Sequence, residues 1–189
     1  MNFLQLNDLP IYDLQKEFQT LYDQGKIKWN SAKDQICINT TKDKLDDYWF
    51  GRGSLWYDWD NKYYDENNQL VVPEREVPLK EEDFNCVCTA FQGTLFEDVY
   101  RSLENKYKLG RVRIMNLHSK KCLSWHTDTS IRVHFPIITQ EGCYMVIQDE
   151  VKHLPQNTWW RTNTLVEHTV FNGSKQDRIH LVATVLEEK

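Results

Sequence analysis

Six short runs constrain this chain more than anything else in it: RVRIMNL (111–117), CLSWH (122–126), SIRVHFPII (130–138), CYMVIQ (143–148), NTWWRT (157–162) and RIHLVATVL (178–186). Each is rich in β-branched or aromatic residues and is bounded by turn formers, the pattern of a sandwich or jelly roll. What precedes them reads differently. TLFEDVYRSLENKYKLG (94–110) has helical spacing, with Thr94 placed to cap it, Glu97 at the capping-box position and Gly110 placed to close it. In LPIYDLQKEFQTLYDQGKI (9–27), Ile11, Leu14, Phe18, Leu21 and Tyr22 recur at helical spacing and Gly25 marks the end. QICINT (35–40) reads as a short strand. From Asp46 to Phe84 the periodicity fades, and Gly51, Gly53, Pro73 and Pro78 mark a long irregular excursion. Its start, YWFGRGSLWYDWDNKYY (48–64), holds eight aromatics and is either a loop over a core edge or the wall of a pocket. The expectation is a single mainly β domain over 1–189. Residues 1–94 form an N-terminal helical and aromatic-loop appendage, and 95–189 a helix followed by the β core.

Charge narrows the partners. Residues 1–94 carry 10 Lys and Arg against 17 Asp and Glu, while 95–189 carry 13 against 11, so the overall −5 sits in the first half. There is no Lys/Arg run of the kind that tracks a phosphate backbone, and nucleic acid is not an expected partner. No apolar run approaches the ~20 residues needed to span a bilayer, so no membrane partner is expected either. MNFLQLNDLP lacks the features of a secretory leader, and the five cysteines include only a C-x-C pair, Cys86 and Cys88. The expected location is the cytoplasm, with the thiols reduced.

WHTDTSIRVHFPI (125–137) then poses the chemical question, because ionisable residues interrupt a strand-forming stretch at His126, Asp128, Arg132 and His134. Alternate side chains of a strand share a face, so His126 and Asp128 project together. Burying such a set without partners is expensive, and a metal or a bound anion are the two economical explanations. Two imidazoles and one carboxylate on one octahedral face are the ligand set of non-haem Fe(II). The third ligand must come from His118, His134, His153, His168 or His180. His168 stands out, just past a strand 42 residues downstream, with Arg178 opening the last strand ten residues later.

The set His126-Thr-Asp128, His168 and Arg178 resembles the signature of the 2-oxoglutarate/Fe(II)-dependent dioxygenases. IRVHFPI and EHTVFNGS with the following arginine resemble their aspartyl/asparaginyl β-hydroxylase-like branch, over roughly Arg111 to Leu186, with no comparable match in 1–94. The resemblance implies a double-stranded β-helix (jelly-roll, cupin-like) core. It implies Fe(II) held by His126, Asp128 and His168, with 2-oxoglutarate as co-substrate paired to Arg178 and contacted by Arg132 and His134. It further implies that O2 is consumed, succinate and CO2 are released, and an amino-acid side chain, free or in a polypeptide, is hydroxylated. Some β-hydroxylases of the branch lack the carboxylate ligand, which Asp128 supplies here; its presence argues against halogenation. The spacing from His126 to the R-x-H pair is also shorter. Beside these roles stand plainer ones. Arg132 can be an ion-pair partner of Asp128, His134 can pack neutrally, and His180 can be a core histidine, with His118 and His153 at the surface. A jelly-roll metal-binding module without redox chemistry, or desaturation or epimerisation at the same iron, are the alternative functions.

Overall fold

Alternate residues of the RVR, RVH and RIH runs point to opposite faces of one sheet, and that alternation organises the molecule. The computed structural model describes residues 1–30 and 34–189. Its strands are β1 (Phe3–Leu6), β2 (Gln35–Cys37), β3 (Asn39–Thr40), β4 (Tyr63–Tyr64), β5 (Leu70–Val71), β6 (Cys86–Val87), β7 (Tyr107–Leu117), β8 (Lys121–Cys122), β9 (Arg132–Ile138), β10 (Cys143–Ile147), β11 (Glu150–Lys152), β12 (Trp159–Thr162), β13 (His168–Asn172) and β14 (Arg178–Glu188). The two α-helices are α1 (Leu14–Asp23) and α2 (Leu95–Lys106). A six-stranded antiparallel sheet runs in the order β1-β12-β9-β14-β7-β2, and a four-stranded one in the order β11-β10-β13-β8. This is the mainly β jelly-roll core that the strand series predicts.

On one face of the large sheet Val112 and Ile114, Val133, Phe135 and Ile137, and Ile179, Leu181 and Ala183 join a single apolar cluster. The helices complete it with Leu14, Phe18 and Leu21 from α1 and Phe96, Val99 and Leu103 from α2. Side chains of this kind contribute about 1.5–3 kcal/mol each when fully buried, so this face anchors the fold. The intervening residues, Arg111 and Arg113, Arg132 and His134, Arg178 and His180, are buried as well. They look the other way, toward the small sheet. A second apolar cluster, including Leu117, Met145, Ile147, Trp160 and Val170, fills part of the space between the sheets.

Both edges of the large sheet come from the N-terminal half: β1 pairs with β12, and β2 with β7. QICINT is two strands rather than one. Beyond Cys37 the chain leaves β7, and Asn39 and Thr40 pair instead with β6.

α2 differs from its predicted span at one end. Thr94 caps it, its Oγ1 accepting from the Phe96 amide at 3.2 Å. Glu97 accepts from the Gly93 amide, one residue ahead of the cap. Gly110 does not close the helix, because Tyr107 is already extended and opens β7, the ladder partner of β14. Its lack of a side chain has another use. A Cβ there would lie 2.6 Å from Glu81 Oε2 and 2.8 Å from Glu81 Cβ. That space admits Glu81, which accepts the Arg111 amide at 2.8 Å and the Arg111 guanidinium through both oxygens. Burial pushes the Glu81 carboxyl up, but the hydrogen bonds and charge of Arg111 outweigh it and hold the carboxyl below its ordinary range. Gly110→Ala is therefore expected to destabilise the fold by about 1–3 kcal/mol through overpacking of this buried pair. Urea denaturation checks this, and an unchanged midpoint would mean that Glu81 moves aside freely.

Candidate active site

β13 places the first site residue and draws the other two to it. His168 is the first residue of β13, not a residue past a strand, and it exchanges backbone hydrogen bonds with His126: His126 N to His168 O at 3.1 Å and His168 N to His126 O at 2.9 Å. Two residues on, the Asp128 amide donates to the Thr164 carbonyl at 2.8 Å. The segment between β8 and β9 is thus laid against β13 and its approach. One ligand atom from each of His126, Asp128 and His168 falls within a mutual distance of 4.8 Å. The two imidazole rings are 4.3 Å apart.

The tautomers suit a metal. His126 Nδ1 lies 2.8 Å from the Ser124 carbonyl and His168 Nδ1 lies 2.9 Å from the Val166 carbonyl. A carbonyl only accepts, so each Nδ1 carries the proton and each Nε2 presents its lone pair, the usual arrangement behind a metal-binding histidine. Burial lowers the pKa of His168, favouring its neutral, ligating form. Asp128 Oδ2 is 3.7 Å from His168 Nε2, while its Oδ1 takes the Arg132 guanidinium at 3.1 Å. Two imidazoles and one carboxylate at the wall of a cavity are a donor set that fits Fe(II).

The cavity, about 810 Å³, lies between the sheets and is lined by the three residues above together with Arg132, His134 and Arg178. Arg178 is 5% exposed, and its one hydrogen bond among the described residues runs to His180 Nδ1 at 2.9 Å. It has no carboxylate partner among those residues, and burial lowers its pKa to about 10, so it remains a cation with its charge unanswered. His134 is buried with both ring nitrogens unpartnered, and burial, aided by the Arg178 charge, holds its pKa well below the usual value. His180 is the positioning partner of Arg178 and is itself fully buried. Arg132 lines the same cavity, pairs with Asp128 and donates to the carbonyl and hydroxyl of Ser130. These contacts fit its ion-pair reading and are compatible with its expected contact to the co-substrate.

Other sequence-level candidates lie apart from the ligand cluster. His153 bonds the Cys143 carbonyl, while His118 sits at the cavity mouth between Asp34 and Asp177, at 3.1 and 2.8 Å. Trp159 belongs to the helix-facing core and Trp160 to the cluster between the sheets, whereas Trp125 is exposed. The aromatic stretch divides between both of its readings. Phe50 stacks on buried Phe84, and Gly53 to Trp56 line the cavity. Two buried cavity arginines escaped the sequence reading, Arg111 and Arg113. Their signal was present in the run RVR, which repeats the alternation of RVH at 132–134 and RIH at 178–180 on adjacent strands.

A jelly roll that gathers two histidines and an aspartate beside a buried arginine with no carboxylate partner among the described residues is the arrangement expected of an Fe(II)/2-oxoglutarate-dependent hydroxylase. The chain belongs to the aspartyl/asparaginyl β-hydroxylase family, whose model matches residues 12–188. The match takes in the N-terminal half, where the motifs alone gave no likeness. Among solved structures, the fold is similar to an oxidoreductase of the 2OG-Fe(II) oxygenase family from Burkholderia pseudomallei, with 12% identity over 97% of this chain and 83% of that one and a TM-score of 0.51. IDO from Bacillus thuringiensis (11% identity, 100% and 91% covered, TM-score 0.46) and a cupin domain from Bordetella pertussis (17%, 40% and 79%, TM-score 0.35) are also similar. No curated protein matches the sequence.

Proposed function

We propose that His126, Asp128 and His168 hold Fe(II), and that 2-oxoglutarate lies in the cavity with its distal carboxylate on Arg178. The observation that carries this reading is the conjunction of three ligand atoms within 4.8 Å and, in the same cavity, a buried guanidinium with no carboxylate partner among the described residues. A guanidinium fork matches a carboxylate through two parallel hydrogen bonds, and among the described residues only His180 competes for Arg178. His134 offers a ring N–H with no other partner and is placed to donate to the same co-substrate. Arg132 holds Asp128, leaving one carboxylate oxygen for the metal. When bound, iron and 2-oxoglutarate together supply an oxidant of C–H bonds: O2 is consumed, one oxygen enters the substrate as hydroxyl, and the other leaves in succinate with release of CO2. Asp128 would occupy the coordination position that a halide needs, which disfavours halogenation, and the family match favours hydroxylation over desaturation or epimerisation. The substrate is an amino-acid side chain, free or within a polypeptide.

All five cysteines are unpaired, which supports a reducing compartment, and the cytoplasm is the proposed location. No helix among the described residues is long and apolar enough to cross a membrane.

Succinate formation from 2-oxoglutarate tests the assignment. It is expected to stop when the protein is stripped with a chelator, to return with Fe(II), and not to return with Zn(II). Turnover indifferent to chelation, or none with Fe(II) restored, would remove the iron from the reading.

A further inference from the structure

We infer that the Arg113 guanidinium is a second anion seat in the cavity and binds a carboxylate of the hydroxylated substrate. This rests on the proposed function above, because it assumes that 2-oxoglutarate occupies Arg178.

Four buried arginines line the cavity, and they fall into two pairs by their partners. Arg111 is neutralised by Glu81 and also bonds the Gly51 and Gly53 carbonyls. Arg132 is neutralised by Asp128 and tied to Ser130. Arg178 and Arg113 have no ion-pair partner among the described residues. The remaining acid on the cavity wall, Asp34, sits at the mouth against His118. Lys121 adds a further positive charge to the lining. Burying two guanidiniums that have no ion-pair partner among the described residues carries a heavy desolvation cost, relieved for Arg113 only in part by the nearby Glu81 charge, unless anions complete them. One 2-oxoglutarate distal carboxylate answers one of the two, which leaves Arg113.

Arg113 is 7% exposed, its Nε has no partner, and its one hydrogen bond among the described residues is from Nη1 to Gln35 Oε1 at 3.1 Å. Gln35 is itself fixed, since Oε1 also accepts the Gly53 amide at 2.9 Å, so the excursion carrying the cavity rim holds Arg113 in place. The strand register separates the two free guanidiniums. Arg113 on β7 stands beside Val182 of β14 and, one strand further, His134 of β9, whereas Arg178 stands beside Leu117. The two levels are four residue steps apart, roughly 13 Å along the strands at ~3.3 Å per residue. His134, the co-substrate contact at the Arg113 level, lies two strands away on β9, roughly 10 Å at ~4.8 Å per strand, so a co-substrate held by the metal, Arg178 and His134 leaves Arg113 to a different molecule. A neutral substrate would leave this charge unanswered.

The test reads arginine Nε–Hε resonances of the full chain labelled with 15N-arginine and loaded with Zn(II), which is diamagnetic. R113M and R178K assign the two signals by their disappearance, and R113K serves for the first if the methionine variant does not fold. One equivalent of 2-oxoglutarate is expected to move the Arg178 signal and spare that of Arg113. Acetate added next is expected to shift the Arg113 signal saturably, and acetamide to leave it unmoved. N-acetylalanine, with only a terminal carboxylate, and N-acetylaspartate N-methylamide, with only a side-chain one, then separate the two sources of the group, and a response to either supports the seat. An Arg113 signal that ignores acetate, that responds equally to acetamide, or that already moves with 2-oxoglutarate overturns the inference. If 2-oxoglutarate fails to move Arg178, it is the parent reading of the site that falls.

Discussion

His168→Ala is expected to lower Fe(II) affinity by more than about 100-fold and to abolish metal-dependent 2-oxoglutarate turnover, since loss even of a partner behind a metal ligand typically costs ~10–100-fold. His168 is the best buried of the three proposed ligands and the one around which the others assemble. Its backbone N–H and C=O, not its ring, carry the bridge to His126, so the alanine variant keeps the pairing that positions the rest of the site. Circular dichroism should therefore match the wild type while metal titration and succinate formation collapse. A variant that still turns over 2-oxoglutarate would place the third ligand elsewhere, with the other buried histidines of the cavity region, His134 and His180, the residues to examine next.

Arg178→Lys separates co-substrate from metal. Truncating one partner of a buried charge pair costs about 2–5 kcal/mol, which at about 1.4 kcal/mol per decade is roughly 30-fold to several thousand-fold in affinity. Lysine keeps a positive charge but not the planar fork, and a single ammonium cannot hold His180 Nδ1 and two carboxylate oxygens in one plane. The expected result is a 2-oxoglutarate KM raised at least about 30-fold, with Fe(II) affinity within about threefold of the wild type, because the one hydrogen bond of Arg178 among the described residues runs to His180 and to none of the three proposed metal ligands. Equal losses of both affinities would mean that Arg178 supports the cluster as a whole rather than the co-substrate.

Much of this was legible because strands of period two write both faces of a sheet into one run. In IRVHFPI the apolar residues Val133, Phe135 and Ile137 meet the helices, and Arg132 and His134 meet the cavity. The same grammar in RIHLVATVL puts Ile179, Leu181 and Ala183 on one side and Arg178 and His180 on the other. What could not be read was register. That RVR lies two strands from RVH, with RIH between them, follows only from the order β9-β14-β7, so Arg111 and Arg113 passed as ordinary strand residues. Gly110 misled for a related reason. A glycine after a helical pattern signals a cap, but here long-range pairing of β7 with β14 ends the helix early, and the glycine makes room for Glu81. The partners of Arg132 were likewise settled by tertiary geometry, since the turn at Ser130 brings its guanidinium back onto Asp128. Edge strands β1 and β2 are short, and nothing in their composition announces which sheet they complete.

One cavity is proposed to hold iron on His126, Asp128 and His168 and to bring 2-oxoglutarate onto that iron. That proposal is tested most directly without oxygen, by recording the visible absorption spectrum as Fe(II) and then 2-oxoglutarate are added. A weak charge-transfer band that requires both additions, and that is lost in His168→Ala, is the expected result. Metal binding with no band on adding 2-oxoglutarate would contradict the account and leave a jelly-roll metal-binding protein in its place.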